Sequence, residues 1–105
     1  MQKELKVDMD WRPPEDWLTE WESCVRILLR RWDQKKPKFT YEMSKHGWHI
    51  RVKLDFEISD TYVLLFQFLL GDDRVRCKLN YGRWRAGIED WNKLWKCKVG
   101  RDNKK

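Results

Sequence analysis

The chain has 105 residues, with 23 Lys and Arg against 17 Asp and Glu and a net charge of +6. That length suits one compact domain and excludes two with separate cores. No apolar stretch approaches the roughly 18 residues a membrane span needs and no signal-peptide core follows Met1, so a cytoplasmic protein with no membrane partner is expected.

Cys24, Cys77 and Cys97 are odd in number, far apart and outside any Cys-x-x-Cys pair. They form neither a disulfide framework nor a zinc knuckle, and each is expected as a small buried thiol among apolar neighbours. Eight Trp are read first as core packing. The surplus of positive charge attracts polyanions effectively only if it gathers on one face.

In residues 4–10, Leu5, Val7 and Met9 alternate with Lys6, Asp8 and Asp10, the period of a half-buried strand. After Pro13-Pro14 a helix is expected from about 14 to 33, where Trp17, Trp21, Cys24, Val25, Leu28, Leu29 and Trp32 recur at helical spacing. Lys35-Lys36-Pro37 ends it. Residues 38–44 alternate again, with Phe39, Tyr41 and Met43 opposite Thr40, Glu42 and Ser44. A turn at Lys45-His46-Gly47 leads into residues 48–54, where Ile50, Val52 and Leu54 oppose His49, Arg51 and Lys53; the two runs read as a hairpin.

Ser59 or Asp60 is placed to cap a second helix over about 60–70, with Gly71 ending it. Residues 74–80 then set Val75, Cys77 and Leu79 against Arg76, Lys78 and Asn80, a fourth strand by the same rule. Residues 84–92 suit a short helix or ordered loop, and 94–99 an edge strand. The domain is expected over 1–99, with 100–105 a basic disordered tail.

The order βαββαβ defines an α+β, ferredoxin-like or RRM-like sandwich: a four-stranded antiparallel sheet with two helices on one face. The first and third strands are central, and the fourth borders the first. The open face then carries Lys6, His49, Arg51, Lys53, Arg76 and Lys78, with Arg83 extending the path, around the carboxylates Asp8 and Asp10. Such a face suits phosphates.

The run LKVDMD resembles the hydrophobic-Asp-x-Asp strand of archaeo-eukaryotic primase-like palm domains, and Ser44-Lys45-His46-Gly47-Trp48-His49 resembles their Ser-x-x-Gly-x-His segment. Residues 71–80 add a likeness to small palm proteins of archaea and their viruses or plasmids. The resemblance implies a metal pair (Mg2+ or Mn2+) on Asp8 and Asp10, a phosphate contact at His49, and these three as catalytic residues. It also implies a role in replication. The chain departs from the pattern at Asn80, where the family's third metal carboxylate would fall, and an amide neutralises no charge on a divalent cation.

The leading expectation is a module for single-stranded DNA or RNA with weak sequence preference. The aromatic stacking triad of RNA-recognition modules is absent, although Trp48 or Trp84 could supply a stacking surface. One alternative is a metal-dependent nucleotidyl-transfer or nuclease enzyme using Asp8, Asp10 and His49. A rolling-circle nuclease fits less well, because His46 and His49 straddle a turn and Tyr62 and Tyr81 lack a nucleophile motif. The other alternative is a homodimeric interaction protein built on Trp84, Trp91 and Trp95.

Overall fold

A computed structural model describes residues 2–32 and 37–94. Strand β1 (Gln2–Met9) is followed by helix α1 (Glu15–Leu28), a 3-10 turn (Arg30–Trp32), strands β2 (Lys38–Met43) and β3 (Trp48–Ile58), and helices α2 (Asp60–Leu69) and α3 (Arg74–Arg85). The strands form one antiparallel sheet in the order β1-β3-β2. The proposed edge strand at 94–99 and the basic tail at 100–105 lie outside the described residues, apart from Leu94.

The alternation in the first three strands fixes which face is buried. Leu5, Val7 and Met9 of β1 and Ile50, Val52 and Leu54 of β3 join Trp21, Val25 and Leu29 from the α1 region and Val63, Phe66 and Leu70 from the α2 region in one core. Pro14 precedes α1, whose first turn carries Glu15 and Asp16, favourable beside the positive end of the helix dipole. Trp32 stacks on Phe56 and meets Tyr62 and Phe66 edge-on, joining the end of the α1 segment to β3 and α2. Ser59 caps α2 by accepting from the Tyr62 N–H, and Gly71 follows the helix at φ +93°.

The four-stranded ferredoxin-like sandwich is not formed: among the described residues the sheet has three strands, and residues 74–85 are helix α3. Asp73 caps that helix through its side chain, accepting from the Val75 N–H. The alternation in 74–80 misleads because the buried side of α3 is polar. Arg76 and Asn80, four residues apart on one helical face, are 2% and 0% exposed, whereas Val75 is 63% and Leu79 52% exposed. Val75→Glu should therefore shift stability by no more than about 0.5 kcal/mol in urea unfolding. A buried strand valine there would cost more than about 2 kcal/mol.

Three side chains and one backbone amide do the work of the missing fourth strand. The outward-facing backbone groups of β1 would otherwise be an open edge. The Lys6 N–H donates to Gln67 Oε1 (2.8 Å) and the Asp8 N–H to Asp72 Oδ1 (2.7 Å). The Lys6 carbonyl accepts from Arg76 Nη1 (2.9 Å), and the Asp8 carbonyl from the Asp73 N–H (2.8 Å). Four edge groups are satisfied by the end of α2 and the start of α3, so this stretch of β1 offers no template for another strand.

The same side chains extend into a buried polar network. Arg76 also donates to Asp72 Oδ2 (2.5 Å), to the Lys93 carbonyl (2.5 Å) and to Asn92 Oδ1 (3.1 Å). Gln67 and Asn92 pair through both amides. The network ties the segment after α3 to the sheet edge, and Trp91 in that segment is buried with the core.

Two cysteine expectations are corrected: Cys24 is exposed, beside rather than on the buried Trp21–Val25 side of α1, and Cys77 is half-buried, beside the buried Arg76–Asn80 side of α3. Burial, then the neighbouring Asp72 carboxylate, pushes the Cys77 thiol up to about 12, which makes it a poor nucleophile.

Candidate polyanion-binding sheet face

The sheet face opposite α1 is built from three rungs of cross-strand neighbours. Glu4, Lys53 and Lys38 form the first; Lys6, Arg51 and Thr40 the second; Asp8, His49 and Glu42 the third. Period-two alternation puts these side chains on one face, and it is the face left by Ile50, Val52 and Leu54 pointing to the helices.

The first two rungs are basic. Lys38 and Lys53 are exposed and directly opposite each other, a pairing of like charges that costs stability within a sheet. Arg51 is beside them and pairs with Glu4 at 3.7 Å, leaving its side chain 38% exposed. Lys6 is held differently: its Nζ donates to the Asn92 carbonyl at 2.9 Å. Its pKa is lowered, first by burial and partly by the nearby cations Arg51 and Arg76. Lys6 is a fixed strut under the face.

The third rung brings together two of the three residues in the Asp8, Asp10 and His49 constellation. Asp8 and His49 are register partners, with Oδ1 and Nε2 3.5 Å apart, and both are 4% exposed. Asp10 is exposed, beyond the end of β1. Among the described residues no group of three or more His, Cys, Asp or Glu has a metal-holding arrangement. The carboxylates expected to take Mg2+ or Mn2+ are Asp8 and Asp10, and they do not form such a set there.

Asn80, expected to flank Asp8, is buried against Lys93, donating to its carbonyl (3.2 Å) and accepting from its N–H (3.2 Å). Arg76, assigned above to phosphate contact, is enclosed in the edge network and presents no free surface to a ligand. Arg83 donates to the carbonyls of Trp91 and Asp90, and so anchors the segment after α3. Lys78 is exposed on α3, away from the sheet rungs. The physical reason is common to all four: once residues 74–85 are helical, their period no longer adds a row to the sheet face.

Ser44 and Gly47 shape the hairpin that presents His49. The Gly47 N–H donates to Ser44 Oγ (3.1 Å), and the Ser44 N–H donates to the Gly47 carbonyl (3.0 Å). A Cβ on Gly47 would come within 1.9 Å of the Met9 carbonyl oxygen and 2.6 Å of Trp11 backbone atoms. The glycine therefore lets the hairpin tip lie against the end of β1, the strand that carries Asp8.

Lys38 is the cation that sequence reasoning missed. It is in phase with Thr40 and Glu42, so carrying the alternation to the first residue of the strand would have found it. Trp48 belongs to the helix-facing side, where it meets Tyr41 edge-on and has Arg12 over its ring. The three rungs contain no Phe, Tyr or Trp, and the His49 ring is buried.

Comparison of the chain with family models, curated proteins and solved structures gives no match. None of the described helices is long and apolar enough to cross a membrane.

Proposed function

We propose that the chain is a nucleic-acid-binding module that holds the phosphate backbone of a single strand on the basic rungs of its sheet. The observation that carries this reading is the Lys38–Lys53 like-charge pair beside Arg51, all on one face. Two ammonium groups held opposite each other raise the local positive potential, and a bound phosphate relieves their repulsion. Without an exposed aromatic ring on the rungs, bases are not stacked there, so affinity comes from phosphates and sequence preference is weak.

The test is fluorescence anisotropy with a labelled oligothymidylate and the corresponding RNA over a series of salt concentrations. Lys38→Ala/Lys53→Ala should weaken binding at least about tenfold at low salt. It should also flatten the log–log salt slope by roughly 1.4, at about 0.7 per lost contact. Lys78→Ala, a cation off the rungs, should leave the slope within about 0.3 of wild type. Equal losses in the two variants would point to diffuse attraction by net charge and overturn the assignment of the face.

A further inference from the structure

Helix α2 carries apolar side chains on its outer as well as its inner side, and Gln67, its polar residue in the last turn, is turned into the edge network. From Thr61 to Gly71 the chain contains no Asp, Glu, Lys or Arg. Its inner side is used: Val63, Phe66 and the adjoining Leu70 are in the core. Its outer side holds Leu65, Phe68 and Leu69, each about half exposed, with Phe68 at 57%. A helix with an apolar outer side as well as an apolar inner one is expected to be covered on both.

This outer side runs into a pocket. Between α1 and the end of α2 there is a cavity of about 330 Å³ whose lining includes Met9, Trp11, Trp17, Trp21, Cys24 and Leu69. Trp11 and Trp17 meet edge-on at 5.1 Å and are both exposed. Leu69 belongs to the pocket wall and to the outer side of α2, so hole and ridge form one surface. Phe68, its neighbour in sequence, is the largest projecting side chain of the ridge.

We propose that the chain forms a two-fold dimer in which Phe68 of each copy enters the tryptophan-lined pocket of the other. Projection and hole on one continuous patch are what an isologous interface requires, since each contact is then made twice. Trp11, Trp17, Leu65, Phe68 and Leu69 together expose roughly 500 Å², near the upper end for a patch on a monomer. A stable interface takes about 800 Å² from each partner, so these five side chains supply more than half of it as its apolar centre. The ridge is uncharged and gives no anchor to a polynucleotide or a charged peptide, but it matches itself. The basic rungs lie on the other face of the sheet, so dimerisation does not bring them together and leaves both faces free.

Sedimentation equilibrium of the full chain from about 1 to 500 μM should show a monomer–dimer equilibrium with micromolar dissociation. Phe68→Asp should remain monomeric throughout, at least about 100-fold weaker, with an unchanged circular dichroism spectrum because the ring is exposed in the monomer. Phe68→Cys gives an independent check through native Cys24 of the other copy. Copper phenanthroline, the oxidant, accepts the two electrons as both thiols lose their protons and an S–S bond forms, so a reducible covalent dimer should appear. That band should vanish in Phe68→Cys/Cys24→Ser. A wild-type chain monomeric at every concentration, or a cross-link that survives removal of Cys24, would overturn the pairing. Phe68-dependent sedimentation with anionic phosphatidylserine vesicles by a chain that stays monomeric would instead assign the patch to a lipid surface.

Discussion

Arg76→Ala should lower unfolding stability by about 3–5 kcal/mol, the largest loss expected from any single cation among the described residues, as measured by urea denaturation. The guanidinium is 2% exposed and bonds to Asp72, Asn92 and the carbonyls of Lys6 and Lys93. Its removal leaves a buried carboxylate without its cation and several acceptors without donors. A domain of this size has roughly 5–15 kcal/mol in total, so the variant should be partly unfolded at 37 °C. Arg76→Lys should recover little, because an ammonium cannot reproduce the planar fork that spans the edge and the Lys93 segment.

The same network gives stability an unusual pH dependence. Burial raises the Asp72 carboxyl from 3.8 to about 6, against the opposing pull of Arg76 and of the hydrogen bonds from Asp8, Cys77 and Arg76. A folded-state value above the unfolded one means that the folded protein binds this proton more tightly. The stability contributed by Asp72 is therefore full below about pH 4 and is lost as pH rises through about 6. Asp72→Asn, which retains an acceptor for the Asp8 N–H, should flatten the change in thermal midpoint between about pH 4 and 7 relative to wild type. In Arg76→Ala the window should move to higher pH, because the nearest cation no longer favours the carboxylate.

Gly47→Ala should cost about 3 kcal/mol or more, with a correspondingly lower thermal midpoint. The added methyl would sit 1.9 Å from the Met9 carbonyl oxygen, and that neighbour is backbone in a paired strand, so it cannot move aside as a side chain would. The hairpin tip must lift from the end of β1, and the register that sets Asp8 opposite His49 opens with it. In the same variant the histidine ring resonances should move, whereas a substitution at exposed His46 should leave both stability and the His49 signals unchanged. A Gly47→Ala protein as stable as wild type would mean that the tip does not pack on β1.

Three strands, two helices and the core they share were legible because each has an uninterrupted apolar period. Leu5, Val7, Met9 and Ile50, Val52, Leu54 repeat every two residues and fix the buried face, and with it the side on which His49, Arg51 and Lys53 lie. Ser59 and Gly71 marked the ends of α2 by their chemistry alone. The segment 74–85 was not legible, because the apolar period there belongs to the solvent side. Its buried residues become intelligible only beside their distant partners: Arg76 donates to the Lys6 carbonyl on the β1 edge, and Asn80 pairs with the backbone of Lys93. The motif residues Ser44 and Gly47 were visible in the chain, but that they close a turn against β1 is a fact of contact between distant segments. Local periodicity determined which strands and faces form; the closing of the sheet edge, the removal of Arg76 from the basic surface and the exposure of Phe68 beside a pocket were decided by tertiary structure. A backbone edge must find hydrogen-bond partners wherever the fold can bring them, and that demand has no period in the sequence.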